Sequence, residues 1–170
     1  MSKTIKFKLS SNSIEQAIKE LEQYQQSILK KTQQLVKELA EQGYFIANAK
    51  LQTVDKNGLD DFTLTPIEFN SDGITNKAII TLTGTETLFV EFGSGSFYQV
   101  NHPLAAKYGY GSGTYPGQTH VPIPGYWFYK DESGNKHFSR GNPSYAPMWT
   151  AAQVMRTKVN STARKIFSKE

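Results

Sequence analysis

Val90-Glu91-Phe92-Gly93-Ser94-Gly95 and, further along, Ser144-Tyr145-Ala146-Pro147-Met148-Trp149 frame the part of this chain on which its fold turns. From Phe89 to Trp149 the chain places fourteen of its twenty-one aromatic residues. Seven glycines and four prolines fall among the thirty-three residues from Gly93 to Gly125, a density that breaks any helix or regular strand. That composition predicts a long, irregular loop at about 93–125. Loops longer than about 15 residues inside a compact domain are usually functional or disordered. Disordered segments are poor in aromatics, whereas this one carries Phe97, Tyr98, Tyr108, Tyr110 and Tyr115. The segment therefore reads as a surface built to meet a partner, and excision of Ser96 to Gly117 is expected to leave the fold intact.

Upstream of the frame the pattern is helical. Thr4 to Leu9 alternates Ile5, Phe7 and Leu9 with lysines and reads as a short strand with one buried face. Ser13, followed three residues later by Gln16, reads as a capping box. Ile14, Ile18, Leu21, Ile28, Leu35 and Leu39 then recur at steps of three and four or their sums, as on an amphipathic helix. One straight helix from Ile14 to Lys50 would span about 55 Å, against a radius of gyration near 15 Å, roughly, for a compact domain of this length. The helix must bend or project; the expected break is Gln25-Gln26-Ser27, with Gly43 as the alternative. The apolar repeat is read as core packing rather than a coiled coil.

Phe62 to Phe69 turns β-like with Pro66 arguing for an edge strand. Ser71-Asp72-Gly73 signals a turn, and Ala78 to Leu82 supplies a second strand. Leu88 to Phe92 is short and apolar, and periodicity leaves strand and helical turn both open. Tyr126–Tyr129 and Lys136–Ser139, around Asp131-Glu132-Ser133-Gly134-Asn135, read as a hairpin. Pro147 suits the first turn of a closing helix, with Met148, Ala152, Met155, Val159, Ala163 and Ile166 as its apolar stripe. The order predicts an α+β fold: an antiparallel sheet packed on a long, possibly broken N-terminal helix, a closing C-terminal helix and a long Gly/Tyr-rich loop, in a single domain over 1–170.

A chain of 170 residues is about one domain. It has no cysteine, which excludes disulfides and thiolate metal sites and suits a protein folded in the cytosol. No signal peptide or membrane-length apolar run is read in it. The net charge of +4 divides into +3 for residues 1–50, −5 for 51–100 and +6 for 101–170. An acidic middle and a basic end could set copies in register or touch nucleic acid, although ordinary solvated charge is the plainer reading.

Candidate chemistry is thin. His102, His120 and His137 lack the tight spacing of metal ligands. Asp60 and Asp61 follow Asn57-Gly58 and read as a solvated turn. The glycine clusters Gly93-Ser94-Gly95 and Gly109–Gly113 lack the lysine and helix of a phosphate cradle. Glu91 is expected to accept backbone amides of the glycine turn after it rather than to catalyse. Basic residues on the last helix, Arg156, Lys158, Arg164, Lys165 and Lys169, permit a nucleic-acid-binding module, but they also answer the helix dipole. A small hydrolase would need Glu91 gathered with His102 or His120 in a pocket.

Val90-Glu91-Phe92-Gly93-Ser94-Gly95, then His102-Pro103, a Tyr/Gly-rich loop, Gly125-Tyr126-Trp127-Phe128-Tyr129, Gly141 and Tyr145-Ala146-Pro147-Met148-Trp149 resemble, in that order, the tail-component proteins of long-tailed double-stranded-DNA bacteriophages and prophages. These are also called tail-completion, neck or head-tail joining proteins. The resemblance covers most of the chain. It implies a non-enzymatic virion protein, made in the bacterial host cytoplasm, without cofactor, metal or membrane. It implies partners too: copies of itself in a ring, neighbouring connector and tail proteins, and incidental contact with DNA. On the matching positions Glu91, Phe92 and Gly93 would form a rigid corner, and Tyr145, Pro147, Met148 and Trp149 would dock the last helix. Tyr98, Tyr108, Tyr110, Tyr115 and Trp127 are the candidate interface anchors. The chain departs from the family in the length of the Ser96 to Gly125 loop and in Trp149.

Overall fold

In the computed structural model the first helix, α1, runs unbroken from Ser11 to Leu51, 41 residues, about 60 Å at 1.5 Å per residue. The structure describes residues 6, 8, 10–55, 59–95, 97–98, 101–111, 114–117, 126–130 and 133–168, the side chains of 127, 129 and 130 excepted. Most of the strand expected at Thr4–Leu9, His120 and part of the 93–125 loop lie outside them. Neither expected break occurs. Gln is a good helix former and Ser a tolerable one, so Gln25-Gln26-Ser27 costs too little to stop a helix. Gly43 does cost about 1 kcal/mol relative to alanine, but Met155 of the last helix places its sulfur where a Cβ would stand. The helix therefore projects instead of bending. From Ser11 to Leu39 it buries only Ala17; from Ala40 onward Ala40, Gly43, Ala47 and Leu51 turn inward. Its start also differs from expectation. Helix begins before Ser13, whose Oγ accepts the Lys8 N–H at 2.9 Å instead of closing a capping box.

The β segments form three antiparallel two-stranded ladders rather than one sheet. Strands β1 (Thr63–Leu64) and β2 (Glu68–Ser71) return through β3 (Asn76–Ile79) and β4 (Leu82–Thr83). Thr63 faces Thr83 while Glu68 faces Ile79, so the outgoing strand holds one residue more than the returning one between the two ladders. Pro66, which cannot donate to a ladder, sits in that bulge, and Thr65 N–H still reaches Thr81 O at 2.9 Å. Asp72 closes the turn by accepting the amides of Ile74 at 2.9 Å and Thr75 at 2.6 Å. The expected second hairpin forms from β5 (Trp127–Lys130) and β6 (Lys136–Ser139), with Phe128 opposite Phe138.

The run left open between strand and helix is a helix, α2 (Thr87–Phe92). The closing helix α3 spans Pro147–Phe167 with Pro147 in its first turn. It lies antiparallel to the second half of α1: Gly43 meets Met155, and further back Glu38 meets Lys165 at 3.3 Å. Its buried residues are Pro147, Ala151, Thr162 and Ile166, so the expected stripe is rotated, leaving Ala152 and Val159 exposed. Two core clusters result. Leu51, Val54, Leu59 and Val90 form one, and Phe92, Ala105 and Tyr110 the other; Phe89 packs against both. The class is α+β, as expected. The loop, however, is not a detachable surface: Ala105, Tyr110 and His102 are 2%, 7% and 6% exposed, which reverses the expectation that excising Ser96 to Gly117 spares the fold.

Candidate functional site

The two motifs that frame the sequence meet in space. Helix α2 ends at Gly93, whose φ of +84° favours glycine and whose missing Cβ would lie 2.8 Å from the Ser144 nitrogen. Ser94 and Asn142 then exchange backbone bonds, Ser94 N–H to Asn142 O at 3.0 Å and Asn142 N–H to Ser94 O at 3.1 Å. Gly141, at φ +79°, lets the two backbones pass at this distance, since any side chain there would strike Ser94 O. The Asn142 side chain donates to Phe89 O at 2.8 Å. Ser144 Oγ donates to Glu91 O at 2.7 Å, and Tyr145 N–H to Val90 O at 3.0 Å.

Glu91 sits at the centre of this joint and is 9% exposed. Its Oε2 accepts the Met148 N–H at 2.9 Å and its Oε1 the Trp149 N–H at 2.8 Å. The first amides of a helix have no partner within it, and α3 has no side-chain cap of its own, because its N-cap is Ala146. A carboxylate from another element supplies the cap and answers the positive end of the helix dipole. Glu91 thus holds the start of α3, not the glycine turn expected from sequence. Ala146 meets this geometry with φ +47° and ψ +49°, a left-handed conformation that strains a residue with a Cβ.

His102 Nε2 lies 3.1 Å from Glu91 Oε1. Leu104 N–H donates to His102 Nδ1 at 3.1 Å, so Nδ1 carries no hydrogen and the ring N–H is at Nε2, pointing at the carboxylate. The ring stands edge-on to Phe92 at 4.5 Å and to Trp149 at 5.5 Å between centroids. Tyr110 stacks on Phe92 at 4.8 Å, and burial raises its phenol pKa above the ordinary value. Tyr115 stands edge-on to Phe89 at 5.2 Å. Tyr108 leans on Phe92 at 5.5 Å with half its surface exposed.

The other end of α2 is fixed by Asp61. Its carboxylate accepts the Thr85 hydroxyl and the Thr85 N–H, the latter at 2.8 Å, and these bonds hold its pKa below the usual carboxylate range. Asp61 N–H in turn donates to Glu86 Oε2 at 2.9 Å. Asp61 is exposed, as the solvated-turn reading has it, and clamps that turn as well.

Glu91, Phe92, Gly93, Tyr108, Tyr110, Tyr115, Pro147 and Trp149 are therefore gathered around α2 and the start of α3. Tyr98 is elsewhere, edge-on to Phe97 at 5.0 Å, and Trp127 lies on β5 opposite Ser139. Sequence reading missed Asn142 and gave Ser144, within the framing motif, no role of its own, although Gly141-Asn142 directly before a proline carries a turn signal. Among the described residues no three histidine, cysteine or acidic side chains converge as a metal site. Compared with models of known families, with curated proteins and with solved structures, the chain finds no match.

Proposed function

We propose that this chain is a non-enzymatic structural protein of a long-tailed phage or prophage virion, acting at the head-tail joint or in tail completion. The observation that carries the reading is the joint itself. The residues on which the resemblance rests, Val90–Gly95 and Tyr145–Trp149, are far apart in the chain yet bond to one another through Glu91 and Val90. Such a joint fixes one helix on another and supports a rigid subunit of a larger assembly.

The Glu91 and His102 contact supplies the pairing asked of a hydrolase, though not the pocket. Against it, both side chains are nearly buried, and both carboxylate oxygens already hold backbone amides. Their bonding supports a structural use. The deciding experiment is electron microscopy of lysates from an induced lysogen lacking this gene. Full heads beside unattached or aberrant tails are expected, and normal infectious particles would overturn the proposal. The protein would then be assayed for salt-dependent DNA binding and for an activity lost in Glu91→Gln.

A further inference from the structure

Two faces of this subunit expose apolar side chains in ordered sets. On the projecting half of α1, Ile14, Ile18 and Leu21 are 39%, 51% and 55% exposed. Steps of four and three place them on one stripe. On the hairpin, Tyr126, Phe128 and Phe138 are 41%, 56% and 55% exposed, with ring centroids 5.5 to 5.9 Å apart. Strands β5 and β6 pair only with each other among the described strands. An isolated two-stranded hairpin is marginally stable in water, so its aromatic face calls for a surface to lie on.

The two faces match in length and in charge. Ile14 to Tyr24 spans about 15 Å along a helix axis, and a four-residue strand spans about 13 Å. Exposed Glu15, Lys19 and Glu22 follow Ile14, Ile18 and Leu21 along one edge of the stripe, two acids to one base. Lys136 and Arg140, both exposed, alternate with Phe138 and so share its face; the Arg140 guanidinium stands 5.9 Å from the Phe138 ring centre. An apolar stripe with a net negative edge thus complements a basic-edged aromatic one.

The surface area favours a second copy as the occupant. The chain exposes 12022 Å², where a compact monomer of its mass exposes about 8,400 Å². The excess, about 3,600 Å², exceeds the roughly 1,600 Å² that two standard interface patches of about 800 Å² each would bury on one subunit. We infer that the aromatic face of β5 and β6 in one copy docks on the Ile14, Ile18 and Leu21 stripe of the next, head to tail. A contact between unlike faces closes into a ring or extends as a filament. The inference rests on the proposed assembly of copies and names the surfaces that make it.

Sedimentation velocity on the full chain tests it with two variants, Ile18→Glu/Leu21→Glu and Phe128→Glu/Phe138→Glu, each checked for retained helix by circular dichroism. The wild type is expected to sediment as an oligomer and each variant alone as a monomer. Mixed one to one, the variants are expected to form a heterodimer and nothing larger, because each contributes its one intact face. A monomeric wild type, a variant that keeps the wild-type oligomer, or a mixture that stays monomeric overturns the inference. Should either variant fail to fold, the pair Glu15→Lys/Glu22→Lys and Lys136→Glu/Arg140→Glu replaces it. Each of these is expected to weaken assembly alone and to restore it on mixing; no restoration overturns the contact. The gene deletion separates the two readings: unjoined particles with a monomeric protein sink only this contact, and normal particles with a head-to-tail oligomer sink only the virion role.

Discussion

Glu91 takes two helix amides and an imidazole N–H on one nearly buried carboxylate, so its removal strands three donors at once. Leaving buried donors without partners is among the larger single-residue penalties. Glu91→Ala is expected to lower unfolding free energy by about 3 kcal/mol, and Glu91→Gln, which keeps an acceptor but loses the charge, by about 1 kcal/mol. Urea titration checks both values. Equal losses for the two variants would mean that the cavity, not the cap, sets the cost. Ala146 provides the converse test. Its left-handed backbone is strained with a Cβ present and free without one, so Ala146→Gly is expected to stabilise by about 1 kcal/mol in the same titration. Asp61 supplies a pH signature. Its pKa is depressed in the fold by the Thr85 bonds, so the unfolded chain binds its proton first as acid is added. The contribution is present above the unfolded pKa and is lost as pH falls through the folded one. Stability measured from pH 5 down to pH 3 is expected to fall less steeply in Asp61→Asn than in the wild type.

At the scale of elements, local chemistry decided what the sequence could reveal. Pro147 at a helix start, the Ser133-Gly134-Asn135 turn and the Asp72-Gly73 turn are signals written within a few residues, and α3, β5 and β6, β2 and β3 stand where those signals place them. Continuity through Gln25-Gln26-Ser27 was legible in helix propensity, but that through Gly43 was not, because the reason to tolerate it is Met155, more than a hundred residues later. The true partner of Glu91 was hidden for the same cause: its amides lie 57 and 58 residues away. Tyr110 looked like a surface anchor in a glycine-rich loop, and only the position of Phe92 makes it core. Continuity of α1 is open to direct test. Ser27→Pro is expected to cost about 3 kcal/mol of local helix stability, lowering the far-UV helix signal while leaving the thermal midpoint of the α1 and α3 packing unchanged. An unchanged helix signal would place a break at that point after all.

For the whole molecule, cohesion is concentrated at one end. Buried residues of α1 cluster from Ala40 to Leu51, and both core clusters gather around α2. The segment 101–111 belongs to that end through Ala105 and Tyr110. Excising Ser96 to Gly117 is therefore expected to unfold the protein or depress its melting temperature sharply, with calorimetry as the measure; a melting curve like the wild type's would return the loop to the surface.

The Glu91 cap also sets an order of events during synthesis. Helix α3 is made after α2, so the carboxylate that receives its first amides is in place before those amides exist. Closing a chain loop of that span carries an entropy cost of about 3 to 4 kcal/mol, to be met before the joint contributes anything. Nascent chains stalled short of Pro147 should hold α2 with its acceptor unfilled and the second half of α1 without its cover, a state open to proteolysis. Emergence of Pro147–Phe167 would then close the joint in a single step, so that a copy without α3 could not present a finished surface to its neighbours.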